Sequence, residues 1–191
     1  MARVRTAILV LALGTGLVGL LASDAVTVGI GLRSPERAET RTTFTEVKWP
    51  FPRDQWGDGR AFRCAAADCG VEISLYLRPK IGFCNCDTGV ADAAELDRVA
   101  DLELFSPKFV GLTRSNDIRV GWMKGLSRIY QVDIPYDKPR PILAMAFNQN
   151  CDVMVATVIA PLDHLPSAER HALAFLNGEP ILKWARAQFG I

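Results

Sequence analysis

The 191-residue chain carries 22 basic and 21 acidic side chains, so its formal net charge at pH 7 is only +1. This balance lacks the basic excess that typifies nucleic-acid-binding proteins, and we expect no nucleic acid partner. Hydrophobic residues make up 49% and charged residues 23% of the sequence, as in an ordinary globular protein. The length accommodates one domain with a short appendage.

The N-terminus has the pattern of an export signal. Arg3 and Arg5 precede an uncharged apolar run over residues 7–22. Small residues at Ser23 and Ala25, on either side of Asp24, fit the pattern that signal peptidase cleaves. A transmembrane helix needs roughly 20 residues, and the apolar run reaches that length if it is extended by a few residues. An uncleaved membrane anchor is therefore the alternative. We therefore predict residues 1–25 to be a signal peptide or membrane anchor. In either case the rest of the chain lies in the periplasm, or on the inner membrane facing it.

Residues 26–43 are predicted to be a linker. Pro35 breaks any helix here, and the charged and threonine residues that follow show neither a helical nor a strand period.

The folded part then begins near Phe44, and we expect a single exported domain over residues 44–191. Two prolines and two glycines exclude regular structure from residues 48–59, whose aromatic side chains predict a loop lying across the core.

The central part of the chain is dominated by strand patterns, in which apolar and polar residues alternate between turn-forming segments. Polar turn-like segments join two pairs of these patterns, 109–112 with 118–122 and 142–147 with 153–159, and predict two hairpins. The predicted strands cover residues 71–77, 81–83, 109–112, 118–122, 128–134, 142–147 and 153–159.

Helix signals are concentrated toward the C-terminus. Asp92 followed by Glu95 predicts a capped short helix before the later strands. A proline begins and a glycine ends each of two C-terminal segments, 166–178 and 180–190, as is typical of helices. Because strands come first and helices last, we predict an α+β domain with a mostly antiparallel sheet and two C-terminal helices.

Five cysteines are the most distinctive residues of the domain. Thiols that meet in an oxidising compartment become disulfides, so export predicts a fold braced by disulfides, with at least one cysteine unpaired. A bond within Cys84-Asn85-Cys86 would close a small strained ring. We therefore expect Cys84 and Cys86 each to reach Cys64, Cys69 or Cys151.

A metal site is the alternative interpretation of the same residues. The spacing C-x4-C-x14-C-x-C places Cys64, Cys69, Cys84 and Cys86 in two close pairs. Four thiolates in two pairs could bind zinc or Cu(I) tetrahedrally. The chain would then be a metal-handling or thiol-handling protein.

Catalytic motifs do not stand out in the sequence. His164 and His171 are not the i, i+4 pair of a metalloprotease, and no GxSxG or phosphate-binding loop occurs. We expect no catalytic residue and no cofactor, and we interpret the chain as an exported binding or accessory domain for an unknown protein or small molecule. The further alternative is an enzyme of unrecognised type that uses Asp54, Asp58 or His171.

Overall fold

The computed structural model describes residues 44–191, so the predicted signal or anchor and the predicted linker lie outside the described residues. Within residues 44–191, no helix is long and apolar enough to span a bilayer. The described chain is an α+β fold with an eight-stranded antiparallel sheet and two C-terminal helices, which confirms the predicted fold class. The strands are β1 (Thr45–Val47), β2 (Arg60–Cys64), β3 (Ile73–Lys80), β4 (Phe109–Gly111), β5 (Asn116–Val120), β6 (Met123–Val132), β7 (Arg140–Gln149) and β8 (Asp152–Ile159).

Helices follow or interrupt these strands at four places, with two short 3-10 turns beside them. The α-helices are α1 (Ala66–Cys69), α2 (Ala93–Val99), α3 (Leu165–Leu176) and α4 (Glu179–Phe189), and the 3-10 turns are Leu102–Leu104 and Leu162–His164. The cap predicted for α2 is present, because the Asp92 carboxylate accepts a hydrogen bond from the Glu95 N–H at 2.8 Å. Proline in the first turn begins both C-terminal helices, and Gly190 ends α4 in the left-handed conformation.

The sheet has the order β1-β2-β3-β8-β7-β6, and two short strands share the far edge of β6. The hairpin predicted for residues 142–147 and 153–159 is confirmed by the pairing of β7 with β8. The hairpin predicted for residues 109–112 and 118–122 is wrong, because β4 and β5 do not pair with each other. They lie one after the other along β6, whose ten residues provide a ladder long enough for both.

Strand β3 runs further than its sequence pattern predicts. The pattern ends at residue 77, but the strand continues to Lys80. At Pro79, β3 is still paired with β8 but no longer with β2. Proline has no N–H to donate, so it is tolerated at a position with a neighbouring strand on one side only. The predicted return strand at residues 81–83 is instead a turn through Gly82, which has φ +66°. The extension adds two basic side chains to the sheet.

Alternate residues of the central strands face two separate apolar cores. Helices α3 and α4 cover one face of the sheet, against β3 side chains such as Leu75 and Leu77. On the other face, α2 and the turn Leu102–Leu104 pack against Tyr130 and Ile142. We call this second face the α2 face. Its cover is smaller than the helix pair, and a groove is left at one end of it.

Candidate functional site

The disulfides brace opposite ends of the sheet. Cys64, at the end of β2, is bonded to Cys69 of α1, and Cys86 is bonded to Cys151 in the β7–β8 turn. Strands β3 and β8 pair continuously between these two ends, over six residue steps. At about 3.3 Å per residue, the two bridges are separated by roughly 20 Å along the strands.

Cys84 carries a free thiol, although Cys86 two residues later reaches Cys151. The Cys84 side chain is buried on the α2 face, and its thiol donates to the Asn150 carbonyl at 3.2 Å. Burial, followed by the nearby Glu95 and Asp152 carboxylates, raises the pKa of this thiol to about 11. At neutral pH the group is therefore a protonated thiol and a poor nucleophile.

The four cysteines considered as zinc or Cu(I) ligands do not share a site. Cys64 and Cys69 lie at one end of the sheet, and Cys84 and Cys86 lie at the other. Three of the four are in disulfides. In the part of the chain that the structure describes, no group of three His, Cys, Asp or Glu side chains is placed to hold a metal ion.

The residues considered for an unrecognised enzyme are also dispersed. His171 is half-buried on α3, on the helix-covered face of the sheet. Asp54 lies in the loop before β2 and contacts β3 on the α2 face, while Asp58 of the same loop is exposed. The fold therefore does not bring these three side chains into one pocket.

A charge cluster lies on the α2 face, where the extension of β3 places two basic side chains. Three of its members, Arg78, Lys80 and Asp101, are buried, whereas the fourth, Asp54, is 38% exposed. Arg78, only 2% exposed, donates from Nε and Nη2 to the Asp101 carboxylate at 2.9 and 2.6 Å. Its Nη1 donates to Asp54 at 2.7 Å. Lys80 Nζ lies 2.8 Å from Asp101 and donates to the Val99 carbonyl at 2.6 Å. We call Asp54, Arg78, Lys80 and Asp101 the Arg78 cluster.

Two cations and two carboxylates make the Arg78 cluster electrically neutral. Burial lowers the pKa of Lys80, although its contacts with Asp101 oppose the shift. Burial acts to raise the pKa of Asp54, but hydrogen bonds from Arg78 and the Trp56 N–H outweigh it and hold the pKa below its usual value. Each charge in this site depends on a partner, because an unpaired buried charge is strongly unfavourable.

Aromatic side chains cover the Arg78 cluster. Trp56 and Phe83 are in contact, with ring centroids 4.5 Å apart and ring planes tilted by 55°, and Lys80 Nζ lies within 6 Å of both rings. Phe51 contacts Tyr76 and Phe105, each at 5.0 Å. The loop over residues 48–59 thus lies across the core as the sequence predicted. The cluster fastens this loop to the sheet, and of its four charged groups only the Asp54 carboxylate is partly exposed.

An open groove of about 440 Å³ lies at the other end of β3, on the same face. Its two charged walls are Glu72, just before β3, and Arg140, at the start of β7. With β8 between their strands, these residues stand two strand spacings apart, or about 10 Å at the backbone. The lining residues are Glu72, Ser74, Arg140, Pro141, Ile159, Ala160, Pro161 and Leu162.

One exposed apolar side chain lines this groove, and another lies in the loop that precedes Arg140. Leu162 on its wall is 54% exposed. Tyr136 is fully exposed in the β6–β7 loop that leads to Arg140, and it has φ +64°. A bulky residue at positive φ is an outlier of the kind that clusters at binding sites. An ion pair at 2.5 Å between Asp137 and Arg140 holds the loop.

Sequence reasoning found neither the groove nor the Arg78 cluster. The groove is assembled from the ends of three strands and the start of a 3-10 turn, which no local motif connects. Its one local signal is an aromatic residue flanked by prolines at positions 135 and 139. That pattern predicts a loop, but it does not show which surface the loop borders.

Comparison with known proteins adds no function. No family model matches the chain, and no curated protein matches it. Among solved structures the chain is similar to PA94 from Pseudomonas aeruginosa, a protein of unknown function. The two are 18% identical, the match covers 70% of this chain and 94% of that one, and the TM-score is 0.42. This similarity is too low to support an argument about either fold or function.

Loss of the long-range disulfide should destabilise the domain more than loss of the local one. The bridge from Cys86 to Cys151 spans 65 residues, whereas the bridge from Cys64 to Cys69 spans five. From loop-closure entropy, Cys151→Ser should lower the free energy of unfolding by about 4 kcal/mol and Cys64→Ser by about 2 kcal/mol. Urea denaturation of the oxidised proteins measures both. Equal losses in the two variants would show that loop length does not determine the contribution of each disulfide to the free energy of unfolding.

Removing the shared carboxylate of the Arg78 cluster should strongly destabilise the fold. Asp101→Asn keeps the side-chain shape but leaves Arg78 and Lys80 buried with insufficient negative charge. We expect a loss of about 3–5 kcal/mol in urea denaturation. The matched control is Glu179→Gln, which breaks an exposed ion pair with Arg186 and should have little effect. Similar losses in the two variants would contradict a structural role for the cluster.

Proposed function

We propose that this protein is an exported binding domain, in the periplasm or on the inner membrane facing it, that binds a polypeptide segment of a partner in the groove lined by Ser74, Ile159 and Leu162. The observation that carries the proposal is the groove itself. It is an apolar depression with opposite charges on its two walls and one exposed leucine, Leu162, in its lining.

The disulfides support export. The domain contains two disulfides, one at each end of the sheet. Disulfides are expected in compartments where thiols are oxidised, and they are rare in the cytosol. The basic residues and apolar run at the N-terminus agree with this location. Export would place the groove in contact with periplasmic proteins or with exported chains.

The form of the groove favours a polypeptide over a small molecule. Small-molecule sites enclose most of the ligand surface, whereas this groove is open along the sheet end. An apolar centre that includes an exposed leucine, with charged residues at the rim, fits the usual arrangement of a protein interface. Glu72 and Arg140 are in exposed ion pairs with Arg63 and Asp137. On binding they would exchange these partners for basic and acidic side chains on either side of an apolar residue seated over Ile159.

The export proposal can be tested with reporters fused after Ile191. A reporter that is active only outside the cytoplasm should be active, because the arginine-flanked apolar run directs the chain across the membrane. A cytoplasm-only reporter at the same place should be silent. The intact mass of the purified protein, alkylated under denaturing conditions, should show one free thiol. Activity of the cytoplasmic reporter alone would disprove export.

The binding proposal can be tested by photo-crosslinking in living cells. A benzoylphenylalanine replacing Leu162 should crosslink to one segment of one partner, mapped by mass spectrometry, because this position borders the groove. The same group replacing Asp117, exposed on β5, is the matched control and should not give that adduct. Adding Ser74→Trp should fill the groove floor and abolish the adduct.

Three results would overturn the binding proposal. These are an adduct formed equally from position 117, an adduct that survives Ser74→Trp, and an adduct with a second copy of this chain only. The thermal melt of the Ser74→Trp variant is measured alongside, and an unchanged melt shows that the loss of the adduct is not a loss of folding.

A further inference from the structure

Three cysteines meet at the β7–β8 turn. Cys86 is bonded to Cys151 in this turn, with Cα atoms 4.2 Å apart. The Cys84 N–H donates to the Cys151 carbonyl at 3.0 Å, and the Cys84 thiol donates to the carbonyl of the preceding residue, Asn150, at 3.2 Å. The free thiol therefore contacts the turn that carries the disulfide.

We propose that Cys84 is an alternative partner for Cys151. Exchange within the chain would convert the Cys86–Cys151 bridge into a Cys84–Cys151 bridge and present Cys86 as a free thiol at the surface.

The backbone geometry favours this second bridge. One main-chain hydrogen bond of 3.0 Å joins Cys84 to Cys151, so the two backbones are in direct contact. Disulfides form across Cα separations of about 4.4–6.8 Å. Only Asn85 separates the two competing cysteines, and residues 85–88 form exposed turns outside any strand. The exchange needs a local rearrangement of this segment and no change in the sheet.

The reaction is an isomerisation. The Cys84 thiol gives its proton to water, and the resulting thiolate attacks Cys151 Sγ. The bond between Cys84 and Cys151 forms as the bond to Cys86 breaks, and Cys86 leaves as a thiolate that takes up a proton. One disulfide and one thiol are present before and after, so no oxidant or reductant is consumed.

Burial of the attacking thiol makes the exchange slow at neutral pH. Glu95 of α2 and Asp152 of β8 add to burial in raising the pKa of Cys84 to about 11, while Arg98 of α2 opposes them. Below that pKa, the thiolate fraction rises about tenfold for each pH unit. Exchange should therefore be about a hundredfold faster at pH 9 than at pH 7. Local opening of the 85–88 turn would accelerate it at any pH.

Disulfide mapping of the wild-type protein tests the proposal directly. Samples held at pH 7 and at pH 9 are quenched in acid, denatured, and labelled with N-ethylmaleimide at mildly acidic pH. We expect label on Cys84 in the native isomer and a fraction on Cys86 that grows faster at pH 9. Label confined to Cys84 at both pH values would overturn the proposal.

A pair of serine variants provides an independent test. Cys86→Ser, refolded with oxidised glutathione, should contain no free thiol and a Cys84–Cys151 bridge. Its thermal midpoint should lie nearer the wild-type value than that of Cys151→Ser, which can form neither bridge. The matched control Cys84→Ser should keep the Cys86–Cys151 bridge. Free or glutathionylated Cys84 and Cys151 in folded Cys86→Ser would overturn the proposal, and if this variant does not fold, the wild-type mapping decides.

Discussion

The buried guanidinium of Arg78 is the contact on which the α2 face depends. It joins β3 to Asp101, which follows α2, and to Asp54, which lies in the loop before β2. A buried arginine must be paired, so both carboxylates are required where they are, and each brings its own segment of chain onto the sheet. Lys80 adds a second cation to Asp101 and a hydrogen bond to the end of α2.

This attachment also decides where the face stays open. The covering loop and α2 are held near the Lys80 end of β3, where Trp56 and Phe83 lie over the lysine. Ser74, at the other end of the same strand face, lines the groove instead. An attachment made of hydrophobic contacts alone would tolerate sliding more readily than one that fixes the direction of three hydrogen bonds from one guanidinium.

The groove and the bridge from Cys86 to Cys151 lie at opposite ends of the sheet. The local bridge from Cys64 to Cys69 lies near the groove, since Glu72 follows it closely in the chain. The long-range bridge and Cys84 lie about 20 Å away along the strands. A change in disulfide partner at the β7–β8 turn should therefore leave the groove intact, because the intervening strands are paired throughout. Binding and thiol exchange can be measured independently.

The sequence by itself determined those elements whose signals are local. Asp92 caps α2, the prolines and Gly190 delimit the last two helices, and the turn at Asn150 joins β7 to β8, because each signal acts through backbone bonds within a few residues. The order of these elements was enough to indicate an antiparallel α+β fold. The cysteines and the apolar N-terminus likewise indicated disulfides without indicating their partners.

Tertiary structure alone decided the rest. Three features depend on which strand or turn is nearby in space. They are the place of β4 and β5 along β6, the continuation of β3 through Pro79, and the pairing of Cys151 with Cys86 and not with Cys84. The groove and the Arg78 cluster likewise join residues from distant parts of the chain. Such contacts are determined by burial and strand pairing over the whole domain, and the local periodicity of the sequence does not predict them.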